Sequence, residues 1–411
     1  MPDFYPPLLN PQLVRLCQVI APSICHWRYR MTLRVDPDSI ARLKALQHYP
    51  LLLLPNHPTY HDWIAIFLLS GKADMAFHYL AAYERFKERG ARFLQHLGAY
   101  SIRRGLGDRP SVAKTMELLT QPTCHLVVFP EGGCSFQNDT VMPFRPGAIQ
   151  IPLQTLHKLQ RRNDVVPNIH VVPISIKYCY TSDMTPVIHD TLSRLERALN
   201  FSVIKHPDLP STFYQRLRQV AGNVLASLEK DYDLHNDGID QLSWNDRIPR
   251  VKARAIADCE EQLRITAPPD ALLRERVYRM QYVLESQAGT LGAEDFSKYD
   301  NLHRVAASLL NFDAIYDGYV AEAPTPERFL DTLIRLERQV FDMNYPPSKG
   351  HRDVWIHVGD GISLKDHLQD YRRDRAGTVD MLTSHLQTAV QKNLNQLIRR
   401  INSNGFDMHN N

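Results

Sequence analysis

The sequence predicts an α/β fold, because short apolar runs alternate with longer segments of helical periodicity through the first half of the chain. The runs with strand character are Leu51–Leu54, Ser101–Ile102, Leu126–Phe129 and Ile169–Lys177. The segments with helical character cover residues 58–70, 110–120 and 147–160. Such alternation is typical of a sheet flanked by helices.

The second half has a different character, since charged amphipathic patterns replace the alternation from about Thr191 to Asn344. Clear examples are Phe213–Lys230, Ala271–Leu284 and Pro326–Phe341. The stretch DVWIHVG, Asp353–Gly359, is then a further strand candidate, and a late strand needs a sheet to join. We therefore predict one α/β domain, residues 1–190 with 350–405, interrupted by a large, mostly α-helical insertion, residues 191–349, to which the sequence assigns no role.

A long helix is predicted to close the α/β domain. Thr378 is a candidate for its N-cap, because a threonine side chain can accept a hydrogen bond from a first-turn N–H group. Apolar residues then recur at helical spacing: Val379, Leu382, Leu386, Val390, Leu394, Leu397 and Ile401. This pattern predicts a helix with one apolar face.

Composition limits the classes of protein to consider. A chain of 411 residues, with 44% hydrophobic and 23% charged residues, can bury a large core and has the balance of a folded soluble protein. The formal net charge of +3 at pH 7 is too close to neutral to predict nucleic-acid binding. Six cysteines form no C-x-x-C pair, which argues against a zinc ribbon or a disulfide framework and favours reduced thiols in a cytosolic compartment.

No cleavable signal peptide is visible, and no apolar stretch approaches the roughly 18 residues of a membrane span. We therefore expect a cytoplasmic protein that associates peripherally with a membrane. The N-terminal segment is a candidate for that contact, since apolar residues at helical spacing lead into Trp27–Arg30, a group that suits a lipid interface. These apolar residues are Leu13, Leu16, Ile20 and Ile24. Pro22 interrupts the pattern, and a surface helix packed on the core is the favoured interpretation, because amphipathicity is normal for globular helices.

The segment PLLLLPNHPTYHDWIAIFLLSG, Pro50–Gly71, holds a histidine and an aspartate where one apolar run ends and the next begins. Pro58 suits the first position of a helix and Gly71 its C-terminal cap, which puts His57 at the N-cap. Ligands of open α/β sheets gather at the carboxyl ends of strands. His57 is therefore a candidate functional residue.

His57 and Asp62 can cooperate only if the histidine lies outside the helix, because residues five apart in a straight helix point about 140° away from each other. From the N-cap, the imidazole can turn back over the first turn so that Asp62 accepts its Nδ1 proton. That arrangement leaves Nε2 facing the cleft as a base, near a helix N-terminus that favours anions. A histidine that only caps the helix is the alternative.

A metal site is a second interpretation of the same segment. His57 and His61 are four residues apart and Asp62 follows directly. With His57 at the N-cap, however, only one of the two histidines has helical geometry, and no further cluster with ligand spacing follows. We therefore predict no metal.

Three further blocks follow the histidine motif in order: GAYSIRRG (Gly98–Gly105), VVFPEGGCSF (Val127–Phe136) and VVPISIKY (Val171–Tyr178). Together with Asn56, His57 and Asp62, they resemble the glycerolipid acyltransferase family, which includes the 1-acylglycerol-3-phosphate acyltransferases. The matching downstream residues are Gly98, Arg104, Phe129, Pro130, Glu131, Gly132, Val172, Pro173 and Ile174. The resemblance covers roughly residues 45–180, and four ordered blocks are more specific than any one. It implies a mixed sheet flanked by helices.

The resemblance also implies a mechanism and a site. His57, held by Asp62, would take the proton from an acceptor hydroxyl as that oxygen attacks the thioester carbonyl of an acyl donor. Arg104 would bind the phosphate of the acceptor. Glu131 and Gly132 would shape the acceptor site, with Glu131 bonded to a glycerol hydroxyl or orienting a basic residue. The alternatives are an ion pair for Arg104, a solvated turn for Glu131 and simple turn geometry for Gly132.

The implied substrates are an acyl thioester, either acyl-CoA or an acylated carrier protein, and a lysophospholipid or glycerol-phosphate acceptor at a membrane surface. The implied role is in phospholipid biosynthesis or remodelling. No cofactor is implied, because the thioester is itself a substrate.

The chain departs from the family pattern at two places. Gly133 and Cys134 stand where members commonly have threonine and arginine, so one phosphate ligand is missing, and Arg145 or Lys177 are the candidates to replace it. The segment Gly359–Leu368 is similar to a glycine-x-proline-isoleucine strand end that often closes these domains, but Gly361 occupies the proline position. The segment Phe144–Ala148 is similar to a phenylalanine-basic-x-glycine-alanine element of the family. Pro173 matches the fourth block, but we interpret it only as an edge-strand residue.

Two other functions are open. In a thioester hydrolase, Cys134 would be the nucleophile and His57 its base. In a non-catalytic protein, the α/β domain would bind lipid or protein through the helical segment.

Overall fold

The computed structural model describes residues 3–87, 90–105, 107–200, 210–234, 238–268, 271–287 and 293–405. The strands are β1 (Met31–Val35), β2 (Leu51–Pro55), β3 (His78–Ala82), β4 (Ala99–Ile102), β5 (His125–Val127), β6 (His170–Tyr180), β7 (Arg352–Val358) and β8 (Ile362–Ser363). The helices are α1 (Pro11–Arg28), α2 (Pro37–Leu46), α3 (Asp62–Ala73), α4 (Ala91–His96), α5 (Arg109–Leu119), α6 (Gly147–Arg161), α7 (Thr185–Ala198), α8 (Pro210–Asp231), α9 (Trp244–Leu263), α10 (Leu273–Gln287), α11 (Ala293–Asn311), α12 (Tyr319–Glu322), α13 (Pro326–Val340), α14 (Leu368–Arg373) and α15 (Arg375–Gly405).

The chain divides into two compact units. The α/β unit contains residues 1–103, 107–181 and 351–411, and the helical unit contains residues 104–106 and 182–350. The sequence-based boundaries lie at residues 190 and 350. A helical segment is thus enclosed, in chain order, by two parts of one α/β unit.

One mixed sheet forms the α/β unit, in the order β1-β7-β6-β2-β5-β3-β4, with β8 also paired to β6. β7 and β8 run antiparallel to β6, and the other paired strands are parallel. Apolar cores cover both faces: Leu51 and Leu53 of β2 lie in one, and Leu52 and Leu54 lie in the other. A strand buried on both faces needs an unbroken apolar run, which explains the four leucines. The predicted α/β fold with a mixed sheet is confirmed.

The predicted strands all exist, with changes of one to three residues at their ends. The sequence interpretation missed β1 and β3 because neither is a continuous apolar run. Met31–Val35 alternates apolar with polar residues and lies at the sheet edge, and His78–Ala82 pairs a polar start with small side chains.

The edge-strand interpretation of Pro173 is wrong, because β6 has neighbours on both sides. On one side, β8 pairs with residues 170–171 and β7 pairs with residues 174–180. Pro173 falls in the gap between these two pairings, where the missing N–H costs no ladder bond. Its carbonyl accepts the N–H of Gly359 at 2.9 Å, which ties the start of the β7–β8 turn to β6.

Helix α3 begins later than predicted, at Asp62, so placing Pro58 at the first helical position and His57 at the N-cap is wrong. The reason is local: the Asp62 carboxylate accepts both the backbone N–H and the hydroxyl of Thr59, which holds residues 57–61 in a turn. Gly71 is also not the cap, since Asp74 ends the helix in the left-handed conformation. A side chain at Gly71 would meet Gln18 of α1 at 3.3 Å, so the glycine serves helix packing.

The final helix confirms the predicted apolar face. Six of the seven residues are buried and Ile401 is half-buried. The predicted N-cap is wrong, because Asp374 rather than Thr378 precedes the helix and accepts the Gly377 N–H at 2.9 Å.

The helical unit has an apolar core of its own. In α9, α10 and α11, residues such as Ile256, Met280 and Ala306 are buried together. Arg216 is also buried, and its guanidinium donates two 2.7 Å bonds to the carboxylate of Glu196. A paired, doubly bonded ion pair is the form in which a charge tolerates an interior position. In the described part of the chain, no helix combines the length and apolarity that a membrane crossing requires.

Candidate active site

The chain leaves β2 through Asn56, whose buried amide fastens it to β6. Asn56 Nδ2 donates to the carbonyl of Ile176 at 3.0 Å, and Asn56 Oδ1 accepts the N–H of Ile176 at 2.7 Å. These bonds continue the parallel β2–β6 ladder beyond its last pair, Pro55 with Ile174. His57 therefore starts from a fixed point at the carboxyl end of β2.

His57 and Asp62 form the contact that the sequence predicted for them. His57 Nδ1 lies 2.6 Å from Asp62 Oδ2, and the Asp62 side chain is completely buried. Since a carboxylate only accepts, Nδ1 carries a proton and Nε2 of the neutral ring has a free lone pair. The ring is held with its basic nitrogen directed away from the aspartate.

Asp62 is the centre of a small buried network. Its Oδ2 also accepts the Thr59 N–H at 2.9 Å, and its Oδ1 accepts the hydroxyls of Thr59 at 2.9 Å and Tyr178 at 2.8 Å. Burial and the neighbouring Asp62 charge raise the pKa of Tyr178 well above its ordinary value, so Tyr178 stays a donor. Four donors on one carboxylate fix its position and stabilise its charge.

The loop after β5 holds the backbone of His57 from the other side. Glu131, itself buried, accepts the His57 N–H through Oε1 at 2.8 Å. The His57 carbonyl accepts the Ser135 N–H at 2.8 Å. Asn138 Nδ2 donates to the Tyr178 carbonyl at 2.6 Å, and Asn138 Oδ1 accepts the Tyr178 N–H at 2.9 Å. Asn56 makes the same pair of bonds with Ile176. Both loops are thus tied to β6 and to each other.

Two side chains of that loop lie against the His57 ring. Phe129 stacks on it with ring centroids 4.3 Å apart. Cys134 Sγ lies 3.5 Å from His57 Nε2, so the thiol is placed to donate to the free lone pair. Nε2 therefore faces the Cys134 thiol.

The pKa of His57 follows from these contacts. Burial opposes protonation of the ring, whereas the adjacent Cys134 and the bonded Asp62 carboxylate favour it. The net result raises the pKa of His57 well above its ordinary value. A base with a raised pKa binds its proton more strongly once it has accepted it.

Gly132 adopts a conformation that disfavours any other residue. Its φ is 75°, and a Cβ there would lie 2.9 Å from Cδ of Arg145, whose own N–H donates to the carbonyl of Pro130 at 2.8 Å. The glycine therefore allows the Arg145 side chain to pack directly over the backbone next to Glu131.

Gly132→Ala should lower the free energy of unfolding by about 1–3 kcal/mol, because the new methyl group combines backbone strain with overlap. Denaturant unfolding of the two proteins measures the difference. Gly147→Ala is the matched control, since a Cβ there meets no atom within 4 Å and no positive φ is needed. Equal stability of Gly132→Ala and wild type would contradict the argument.

Arg104 lies just beyond β4 and belongs to the helical unit. Its guanidinium lies over the ring of Tyr278, 4.1 Å from the centroid, and Nη1 donates to the Tyr278 hydroxyl at 2.9 Å. The phosphate-binding role that the resemblance gives to Arg104 stays a prediction, as do the roles of Glu131 and Gly132 in the acceptor site.

His61 does not join His57. Its ring lies 5.4 Å from that of Tyr29, and burial together with the nearby Arg352 lowers the pKa of His61 to about 4. Across the described ranges, no group of three or more His, Cys, Asp or Glu side chains is arranged to hold a metal ion.

Sequence reasoning overlooked three residues of the network. Thr59 had a signal, since T-x-x-D resembles a capping box. Tyr178 lies in a block that was noticed, but its hydroxyl reaches Asp62 only because β6 extends past β2. Asn138 had no signal, because its partner is a backbone 40 residues away.

The fold places a histidine–carboxylate pair at the carboxyl end of a central sheet strand. Residues 39–177 match the family model described as Acyltransferase. The match supports acyltransferase activity in general. A sequence comparison with curated proteins finds no match.

Proposed function

We propose that the protein is an O-acyltransferase that moves a fatty acyl group from an acyl thioester to a hydroxyl of a lysophospholipid or glycerol-phosphate acceptor. The observation that carries the proposal is the 2.6 Å contact between His57 Nδ1 and Asp62 Oδ2, which leaves Nε2 as the base. The acyltransferase domain that spans both residues supports it. The thioester, acyl-CoA or an acylated carrier protein, is a substrate and no cofactor takes part.

The reaction is a direct transfer. Nε2 of His57 takes the hydroxyl proton as the acceptor oxygen forms a bond to the thioester carbonyl carbon. The carbon–sulfur bond then breaks, and the leaving thiolate takes the proton from His57 to give a free thiol. Asp62 keeps the ring in the correct tautomer and stabilises the imidazolium while the proton is held.

Arg145 is the cation that we propose for the acceptor phosphate in place of the missing arginine of the third block. Its side chain packs over Gly132, beside the Glu131 that holds His57. Lys177, the other candidate, forms a largely buried ion pair with Asp139 and is thereby neutralised. On the resemblance, we also assign Arg104 to phosphate binding, and we assign Glu131 the additional role of lining the acceptor site.

Acyl transfer from a labelled acyl thioester to a panel of acceptors tests the proposal. The panel holds lysophospholipids and glycerol derivatives in matched pairs with and without a phosphate, and each is assayed with both acyl-CoA and acyl carrier protein. We expect labelled ester on a phosphate-bearing acceptor, and Arg145→Gln should raise the KM for that acceptor with little change in kcat. No ester on any acceptor, with either donor, would reject the proposal.

A second candidate function is favoured by the position of Cys134. With Sγ 3.5 Å from Nε2, the thiol could give its proton to His57 and attack the thioester itself. The carbon–sulfur bond of the donor would break, and its thiolate would take the proton from His57. Water would then hydrolyse the acyl-cysteine to a free fatty acid and the Cys134 thiol, which is the thioester hydrolase reaction.

Cys134→Ala separates the two candidates. We expect the variant to retain acyl transfer within a few-fold, because direct transfer uses no thiol. Cys134 favours the protonated His57 ring, so its removal should lower the pKa of His57 and shift the pH at which the rate is half-maximal downward. Rate profiles against pH measure both effects, and complete loss of turnover in Cys134→Ala would instead establish the cysteine mechanism.

A further inference from the structure

Helix α1 exposes an apolar face. Among its outward side chains, Trp27 is 82% exposed, Val19 is 77% exposed and Leu16 is 59% exposed. Ile20 and Ile24 lie between them and are also nearly half exposed. At 100° per residue these five side chains fall within an arc of about 140° on one side of the helix.

The opposite side of α1 is fixed against α3. Val14 and Cys25 are buried in the core, and the amide of Gln18 donates to the Ser70 hydroxyl at 2.9 Å and the Met75 carbonyl at 2.8 Å. The apolar arc therefore cannot turn inward without breaking this packing. It is a permanent surface of the α/β unit.

The charged side chains of α1 itself have one sign. Helix α1 contains no aspartate or glutamate, and Arg15, Arg28 and the following Arg30 are exposed beside the arc. Trp63, in the first turn of α3, adds a second tryptophan that is 41% exposed. Tryptophan and arginine bordering an apolar helix face suit the headgroup region of a bilayer.

We propose that this face, made of Leu16, Val19, Ile20, Ile24 and Trp27 with the flanking arginines, docks the protein on an anionic membrane surface. Charge complementarity selects this occupant, because anionic lipids attract each arginine while the acyl layer accepts the apolar arc. The sequence pattern alone favoured a helix packed on the core, and that holds only for the buried side of α1. The inference deepens the proposed function and rests on it, because docking would bring a lipid-acylating enzyme to its acceptor. Helix α1 packs on α3, which begins at Asp62.

Flotation of the full chain with lipid vesicles tests the docking without any turnover. We expect wild type to rise with vesicles of phosphatidylcholine and phosphatidylglycerol, to bind phosphatidylcholine alone more weakly, and to be partly released by salt. Val19→Ser with Trp27→Ser should lower the partition coefficient about tenfold or more, because two exposed apolar side chains no longer enter the bilayer. Both residues are largely exposed, so the fold should tolerate the change.

The controls separate docking from its competitors. Val165→Ser with Tyr345→Ser removes similar exposed apolar groups elsewhere and should float like wild type. His57→Ala should also float like wild type, so a failure of the catalytic proposal would not hide the docking result. The proposal is overturned if wild type does not float, or if the α1 variant floats equally well. It is also overturned if the protein is a dimer without vesicles and the α1 substitutions only convert that dimer into a monomer, because the face would then join two copies of the chain.

Discussion

Replacing His57 with alanine should lower the rate of acyl transfer by about 10²–10⁴-fold, the usual worth of a general base. The loss arises in the chemical step, because Nε2 of His57 is the atom to which we assign removal of the acceptor's proton. The fold should survive, since the structural bonds of residue 57 come from its backbone: its N–H donates to Glu131 and its carbonyl accepts from Ser135.

Initial rates with saturating thioester and acceptor measure this effect. His48→Ala, which removes an exposed histidine of the same unit, is the control and should keep full activity. A His57→Ala enzyme that retained more than about a tenth of the wild-type rate would show that another group removes the proton.

Asp62→Asn should lower the rate by at least about 10²-fold while the protein remains folded. The fold tolerates the amide because two of the four donors on Asp62 are hydroxyls, of Thr59 and Tyr178, which can rotate to accept from it. What disappears is the negative charge beside the imidazolium. The pKa of His57 should therefore fall, and the acidic limb of the pH–rate profile should move to lower pH.

Tyr178→Phe is the matched control for Asp62→Asn. It removes one hydrogen bond from Oδ1 but keeps the carboxylate charge and the contact with His57 Nδ1. We expect a few-fold change in rate and an acidic limb close to that of wild type. If both variants lost activity equally without moving the limb, Asp62 would be a packing residue rather than the electrostatic partner of His57.

The contact between His57 and Asp62 could be predicted from the sequence because the two residues lie close together in the chain. A proline, a histidine and a downstream aspartate at the end of an apolar run are enough to indicate a strand end with a base. The start of α3 was predicted four residues too early, because proline is common at the first position of a helix and Pro58 was placed there. The hydrogen bonds between Thr59 and Asp62 instead hold the preceding residues in a turn, so the helix begins at Asp62.

The supporting network could not be predicted in the same way. Asn56, Glu131 and Asn138 each bond a backbone group that is distant in sequence, and those pairings depend on the order of strands in the sheet. Strand order was not accessible because β1 and β3 lack a continuous apolar run and the insertion separates β6 from β7. The nearness of Cys134 to His57 has the same origin, since the loops after β2 and β5 meet only because these strands are neighbours.

Direct transfer can be tested by a single turnover of the wild-type enzyme with a labelled acyl thioester and a stoichiometric phosphate-bearing lysophospholipid, stopped with acid at successive times. We expect label to pass from the thioester to the ester of the acceptor, with none bound to the protein and little as free fatty acid. Label that first appears on the protein, or that is released as free fatty acid at the same rate without acceptor, would contradict direct transfer by His57.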